Sequence, residues 1–303
     1  MGNFHIFTFL AVISFALTSD AAGTLLNSIF FRRYKNGTHE DININDITLQ
    51  NMKLNLDKLT MFYIHGFSET VDSESVVTVT NAYLASTDIN VVAIDYRQIA
   101  GENYLVAVAY VGAVAQTIGS TLNKLVGYGL NQNKVHIVGH SLGGQLSGQI
   151  GLVTNFMIPR ITGLDPAGPL FYTGRFLKVG DAKFVDIIHT DKMFYGQVYN
   201  TGDVDFLPNF GHRLQPGCPL RLPSNDFCSH HRSWRFYAES VRNPNGFLGI
   251  QCDSDLIFKI GLGCNHTDVI PMGYATPTNA KGTYYLVTNS NSPFAKGLEG
   301  TKL

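Results

Sequence analysis

Short runs of β-branched and aromatic residues alternate along this chain with longer stretches whose apolar positions recur at helical spacing. Leu59 to Ile64 and Asn90 to Tyr96 read as buried strands, and the first ends in a glycine turn. Ser73 to Ser86, between them, carries a helical pattern, as does the long segment Tyr104 to Val126. Val135, Ile137 and Val138 suit a third strand, and Ile158 to Gly163 and Phe184 to His189 suit two more. An edge strand is expected near Ser28 to Tyr34. Strands alternating with helices predict an α/β fold, a mostly parallel sheet with helices on both faces. In such sheets sites collect at the C-terminal strand ends, where His65, Ser141, Asp165 and His189 all fall. Beyond Asn200 the pattern becomes loop-rich, and no second domain is evident.

One junction is abrupt. In "KVHIVGHSLGGQLSG", Lys134 to Gly148, a strand pattern gives way to a helical one at Ser141, between Gly139 and Gly143. Glycines there let the backbone turn tightly and the helix pack close. This is the G-x-S-x-G elbow, which exposes a nucleophilic serine above a strand end. With 30 glycines in 303 residues the bare pattern can arise by chance, so its weight comes from its placement after a strand and before a helix.

A serine needs a base, usually a histidine held by a carboxylate. On an α/β-hydrolase sheet the order is Ser, acid, His, which leaves His189, His212, His230, His231 and His266 and argues against His65. Asp165 in "ITGLDPAGP" follows a strand and opens a turn. Spacing alone leaves it open whether Asp165 is the acid or a turn residue capping nearby N–H groups.

Composition narrows the setting. A net charge of −1 without basic blocks argues against nucleic acid as a partner. Phe4 to Leu17 is apolar and followed by small residues, which reads as a signal peptide over 1–21, although no Lys or Arg precedes it. A membrane anchor is the alternative, and no other segment reads as apolar enough to span. Cys218, Cys228, Cys252 and Cys264 suggest two disulfides in a secreted chain. Their connectivity stays open, although sequential pairing makes two small loops. None has the C-x2-C spacing of a zinc site. Asn36 and Asn265 head glycosylation sequons.

The phrases "YIHGF", "VHIVGHSLGGQLSG", "ITGLDPAGP", "VDIIHTD", "GDVDFLPNFG", "QPGC" and "CSHHRSWRFYAES" occur in this order. Together they resemble the animal pancreatic-lipase family, including its insect lipases and phospholipases A1, over Ser28 to Ala295. The resemblance implies an α/β-hydrolase fold, one lipase domain over 22–303, and hydrolysis of lipid carboxylic esters without metal or cofactor. It implies Ser141 as nucleophile, Asp165 as acid and His230 as base, with His231 a rival for that role and His140 a packing residue. His189, His212 and His266 are then loop or strand-end histidines. The N–H groups of Phe67 and Leu142 are the implied oxyanion hole. The implied disulfides are Cys218–Cys228 and Cys252–Cys264. The loop between the first pair corresponds to the family's lid, here only Pro219 to Phe227, with Leu220, Leu222 and Phe227 available to touch lipid. So short a loop predicts weak interfacial activation and a tilt toward phospholipids or small soluble esters over triacylglycerol. The substrate is then a lipid ester at a membrane or micelle surface. The chain ends without the family's C-terminal β-sandwich, so colipase dependence is not expected. A catalytically silent lipid-binding or yolk-type protein on the same fold is the alternative, and such relatives typically lack the triad.

Overall fold

A computed structural model describes residues 19–35, 37–172, 174–219 and 227–303. The elements run α1 (Ser19–Asn27), β1 (Phe30–Lys35), β2 (Thr38–Asn43), α2 (Leu49–Met52), β3 (Thr60–Ile64) and α3 (Glu74–Ser86). Next come β4 (Asn90–Asp95), α4 (Arg97–Ala100), α5 (Tyr104–Gly127), β5 (Val135–His140), α6 (Leu142–Val153), β6 (Arg160–Leu164), β7 (Val185–Ile188) and β8 (Val204–Pro208). The last are α7 (Cys228–Arg242), β9 (Leu248–Gln251), α8 (Asp255–Ile260), β10 (Asn265–Pro271) and β11 (Gly282–Leu286).

Among the described residues all eleven strands form one sheet in the order β10-β9-β11-β8-β7-β6-β5-β3-β4-β1-β2. The seven from β11 to β4 run parallel, and antiparallel strands flank them at both edges. Strand alternation divides the core between two faces. Phe62 and Ile64 of β3 join Val111, Ile118 and Leu122 of α5 and Leu146 of α6 on one side. Met61 and Tyr63 join Val79 and Tyr83 of α3 and Trp234 and Tyr237 of α7 on the other. Each such fully buried side chain contributes about 1.5–3 kcal/mol by leaving water.

Two expectations change. Helix α5 is long and apolar enough to cross a membrane by length and composition alone. It is instead a core helix, begun by the Asn103 side chain accepting from Val106 N–H and buried along Ala107, Val111, Val114, Ile118, Leu122 and Leu125. The region after Asn200 is loop-rich, yet it also holds more regular structure than its pattern shows. Its described residues supply four strands and two α-helices, and β11 inserts between β8 and β9. Such short, non-locally paired strands leave little local pattern. Helix α1 runs through Ala21, where cleavage of a leader was expected, and the apolar stretch before it lies outside the described residues.

Candidate active site

Strands β5 and β6 are parallel neighbours, and the chain turns sharply after each. Ser141 is the single residue between β5 and α6, at φ 54° and ψ −119°. A non-glycine residue at positive φ costs on the order of 1–3 kcal/mol and persists only where its surroundings fix it. Here Ser141 N–H donates to Leu164 O at 3.0 Å, and Ser141 O accepts from Ala167 N–H at 3.0 Å. The flanking glycines are required by close approach. A Cβ at Gly139 would lie 2.3 Å from Gly143 O, and one at Gly143 would lie 2.3 Å from Ile64 O.

Asp165 follows β6, also at positive φ (43°), and is fully buried. Its Oδ1 accepts from Thr190 N–H at 2.8 Å and Asp191 N–H at 3.2 Å. Its Oδ2 lies 2.6 Å from Nδ1 of His230, in the first turn of α7. A carboxylate accepts, so Nδ1 carries the proton and Nε2 is left with its lone pair. Ser141 and His230 line one cavity of about 570 Å³. Asp165 therefore both satisfies turn N–H groups and holds a histidine, the two readings that spacing left open.

The other histidines have different surroundings. His65 is buried and stacked on Tyr96 at 4.4 Å; its Nδ1–H donates to Gly66 O and its Nε2 accepts from Tyr96 N–H. His189 is buried with Nε2 2.7 Å from Asp205. His212 Nε2 lies 3.8 Å from Asp255, and His266 is exposed on β10. His231 lines the cavity, stacks on Phe227 at 5.6 Å, and burial pushes its pKa down to about 3. His140 does more than pack. Its Nδ1 lies 3.1 Å from the Glu69 carboxylate, and its ring lies 4.8 Å from that of His230. Glu69 escaped the sequence reading, and its one signal there is a carboxylate three residues after Gly66 in the turn that follows β3.

Leu142 N–H opens α6, where helical N–H groups lack intrahelical partners. Phe67 sits in the turn after β3, its ring packed edge-on against Tyr104 at 5.0 Å. Neither N–H has a bonded acceptor among the described residues. The turn abuts the serine, since a Cβ at Gly66 would lie 3.1 Å from Ser141 Cβ.

Phe67, Tyr104, Ala167, Pro169, Tyr195 and Phe227 give the cavity an aromatic and apolar wall. The disulfides are Cys218–Cys228, at the start of α7, and Cys252–Cys264, around α8. Phe227 is partly exposed and stacks on Tyr195 at 4.5 Å. Leu220 and Leu222 lie outside the described residues, as does Asn36, whereas Asn265 is exposed at the start of β10.

Residues 21–294 match the family described as Lipase. The chain belongs to this lipase family. It is 31% identical to pancreatic triacylglycerol lipase of Oryctolagus cuniculus, over 85% of this chain and 62% of that one. The corresponding lipase of Sus scrofa is 30% identical over 88% and 66%. Pancreatic lipase-related protein 2 of Bos taurus is 34% identical over 84% and 61%. The chain thus spans slightly under two thirds of the length of these lipase relatives. Among solved structures, the α/β hydrolase MGS-M1 from a deep-sea metagenome library has a TM-score of 0.35 and 16% identity, over 55% of this chain and 72% of its own.

Proposed function

We propose that the protein is a secreted serine hydrolase that cleaves carboxylic ester bonds of lipids. The observation that carries this reading is the 2.6 Å contact of His230 Nδ1 with Asp165, at a cavity that His230 shares with the strained Ser141. Ser141 Oγ attacks the acyl carbon while its proton passes to His230 Nε2. Phe67 and Leu142 N–H groups stabilise the negative oxygen of the tetrahedral intermediate. His230 then protonates the departing alcohol, leaving an acyl group on Ser141. A water activated by the same histidine releases the fatty acid.

Lipid as the substrate class is supported by the apolar cavity wall and by the names of the relatives. Leu170, Met193 and Phe194 are exposed and adjoin Pro169 and Tyr195 of that wall, which suits docking on a membrane or micelle surface. Two disulfides suit an oxidising compartment. The Cys218–Cys228 bridge closes a sequence separation of only 10, so the segment between the two cysteines is too short for a long flap. On that ground phospholipids and soluble esters are better substrates than triacylglycerol. The test is fatty-acid release by purified protein from phosphatidylcholine vesicles, triacylglycerol emulsion and a short-chain ester. Release from vesicles and short ester exceeding that from emulsion is expected. Faster emulsion hydrolysis overturns the preference, and no release from any of the three overturns the enzyme.

A further inference from the structure

The turn after β3 contains a residue that the mechanism above leaves unused. The Glu69 side chain is only 14% exposed, and it lines the cavity. Its Oε2 accepts from Gly66 N–H at 2.6 Å and faces His140 Nδ1 at 3.1 Å. Its own backbone N–H donates to Gly66 O at 3.3 Å, and His65 Nδ1–H donates to that same oxygen at 2.9 Å.

These contacts grip both peptide planes that meet at the Gly66 Cα. The plane before it is held through Gly66 N–H. The plane after it is held through Gly66 O, and that plane also contains Phe67 N–H. In a trans peptide the N–H points opposite to the C=O, so fixing Gly66 O fixes the direction of Phe67 N–H. Position 66 is tight for anything larger than glycine: a Cβ would stand 3.0 Å from Glu69 Oε2, 3.1 Å from Ser141 Cβ and 3.2 Å from His140 Nδ1, so these neighbours would have to give by a few tenths of an ångström. Glycine is also the residue with the loosest backbone, so the donor turn needs an outside restraint. His140 carries that restraint across to the elbow, because it is the residue immediately before Ser141. Burial alone would raise the Glu69 carboxyl, yet His140 and the Gly66 N–H hold it well below the usual carboxylate range. The acceptor is therefore a full carboxylate at neutral pH.

We propose that Glu69 is a positioning residue that, bridged through His140, fixes the Phe67 oxyanion donor against the nucleophile Ser141. The inference rests on the assignment of Ser141 and Phe67 above. Loosening the donor removes stabilisation that exists only in the transition state, so kcat falls while KM holds.

The experiment compares Glu69→Ala, Glu69→Gln and His140→Ala with the unaltered chain on a soluble short-chain ester. A trifluoromethyl ketone is the probe of the hole. Ser141 Oγ adds to its carbonyl, the proton goes to His230, and the new alkoxide sits on the oxyanion donors. Glu69→Ala frees Gly66 N–H but keeps both contacts to Gly66 O, so the donor loosens without being lost: kcat should fall about 30-fold with KM within about twofold, and the ketone Ki should rise in step. Glu69→Gln, whose amide oxygen still accepts from Gly66 N–H, should stay within about fivefold of the original kcat. His140→Ala should move kcat and Ki together by about tenfold, and it carries the test if Glu69→Ala does not fold. A kcat within about twofold of the original in Glu69→Ala, or a fall in kcat with Ki unchanged, overturns the proposal. Ser141→Ala separates the two readings. If it is inactive while Glu69→Ala is normal, only the Glu69 proposal fails; if it stays active, the enzyme assignment fails first.

Discussion

Gly196 and Asp165 meet so closely that a Cβ at Gly196 would stand 2.4 Å from Asp165 Oδ1. Any side chain there pushes the carboxylate away from the Thr190 and Asp191 N–H groups and from His230. Losing the correct histidine orientation altogether costs about 10⁴-fold in such triads. Gly196→Ala, a partial displacement, should lower kcat on a soluble ester by about 10²-fold. A kcat equal to that of the unaltered protein would show that Asp165 does not hold His230 in the working state.

The two disulfides should separate stability from activity. Cys228 is the first residue of α7, two positions before His230, whereas α8 inside the other bridge does not line the cavity. Replacing either pair by serine should cost about 2–4 kcal/mol in urea unfolding. Only Cys218→Ser with Cys228→Ser should also lower kcat in the folded protein. An equal loss of activity from the Cys252 and Cys264 pair would contradict this division.

His231 makes stability depend on pH. Burial, reinforced by His140 and His230, holds its folded pKa at about 3, against about 6.5 in an unfolded chain. The stabilising contribution is complete above pH ~6.5. It is lost as pH falls from there toward ~3, because the unfolded chain takes up a proton that the folded one refuses. Between pH ~7 and ~5 the unaltered protein should lose about 2 kcal/mol more than His231→Leu in urea unfolding. Parallel losses in the two proteins would refute the assignment.

Ser141 and Asp165 were legible because each ends a parallel strand whose apolar run is local and strong. The base was not. Five histidines follow Ser141, and choosing His230 took the resemblance, since the Asp165–His230 contact joins positions 65 residues apart. The strands after Asn200 escaped for a similar reason. β9 and β11 pair with partners far away in sequence, and their burial is decided by those partners. Glu69 leaves only a faint local signal, a carboxylate three residues after Gly66. Its role appears only when the Gly66 turn and the His140 elbow are brought together.

The central claim is that Ser141 is an activated nucleophile. Its most direct measurement is the site of covalent modification when the purified protein is treated with a fluorophosphonate, read by intact mass and peptide mapping. The probe reacts with a serine that has a working base and oxyanion donors. One adduct on Ser141, absent in Ser141→Ala and strongly slowed in Asp165→Asn, is the predicted result. An unmodified Ser141 in protein that still hydrolyses esters, or an adduct on another residue, would contradict it.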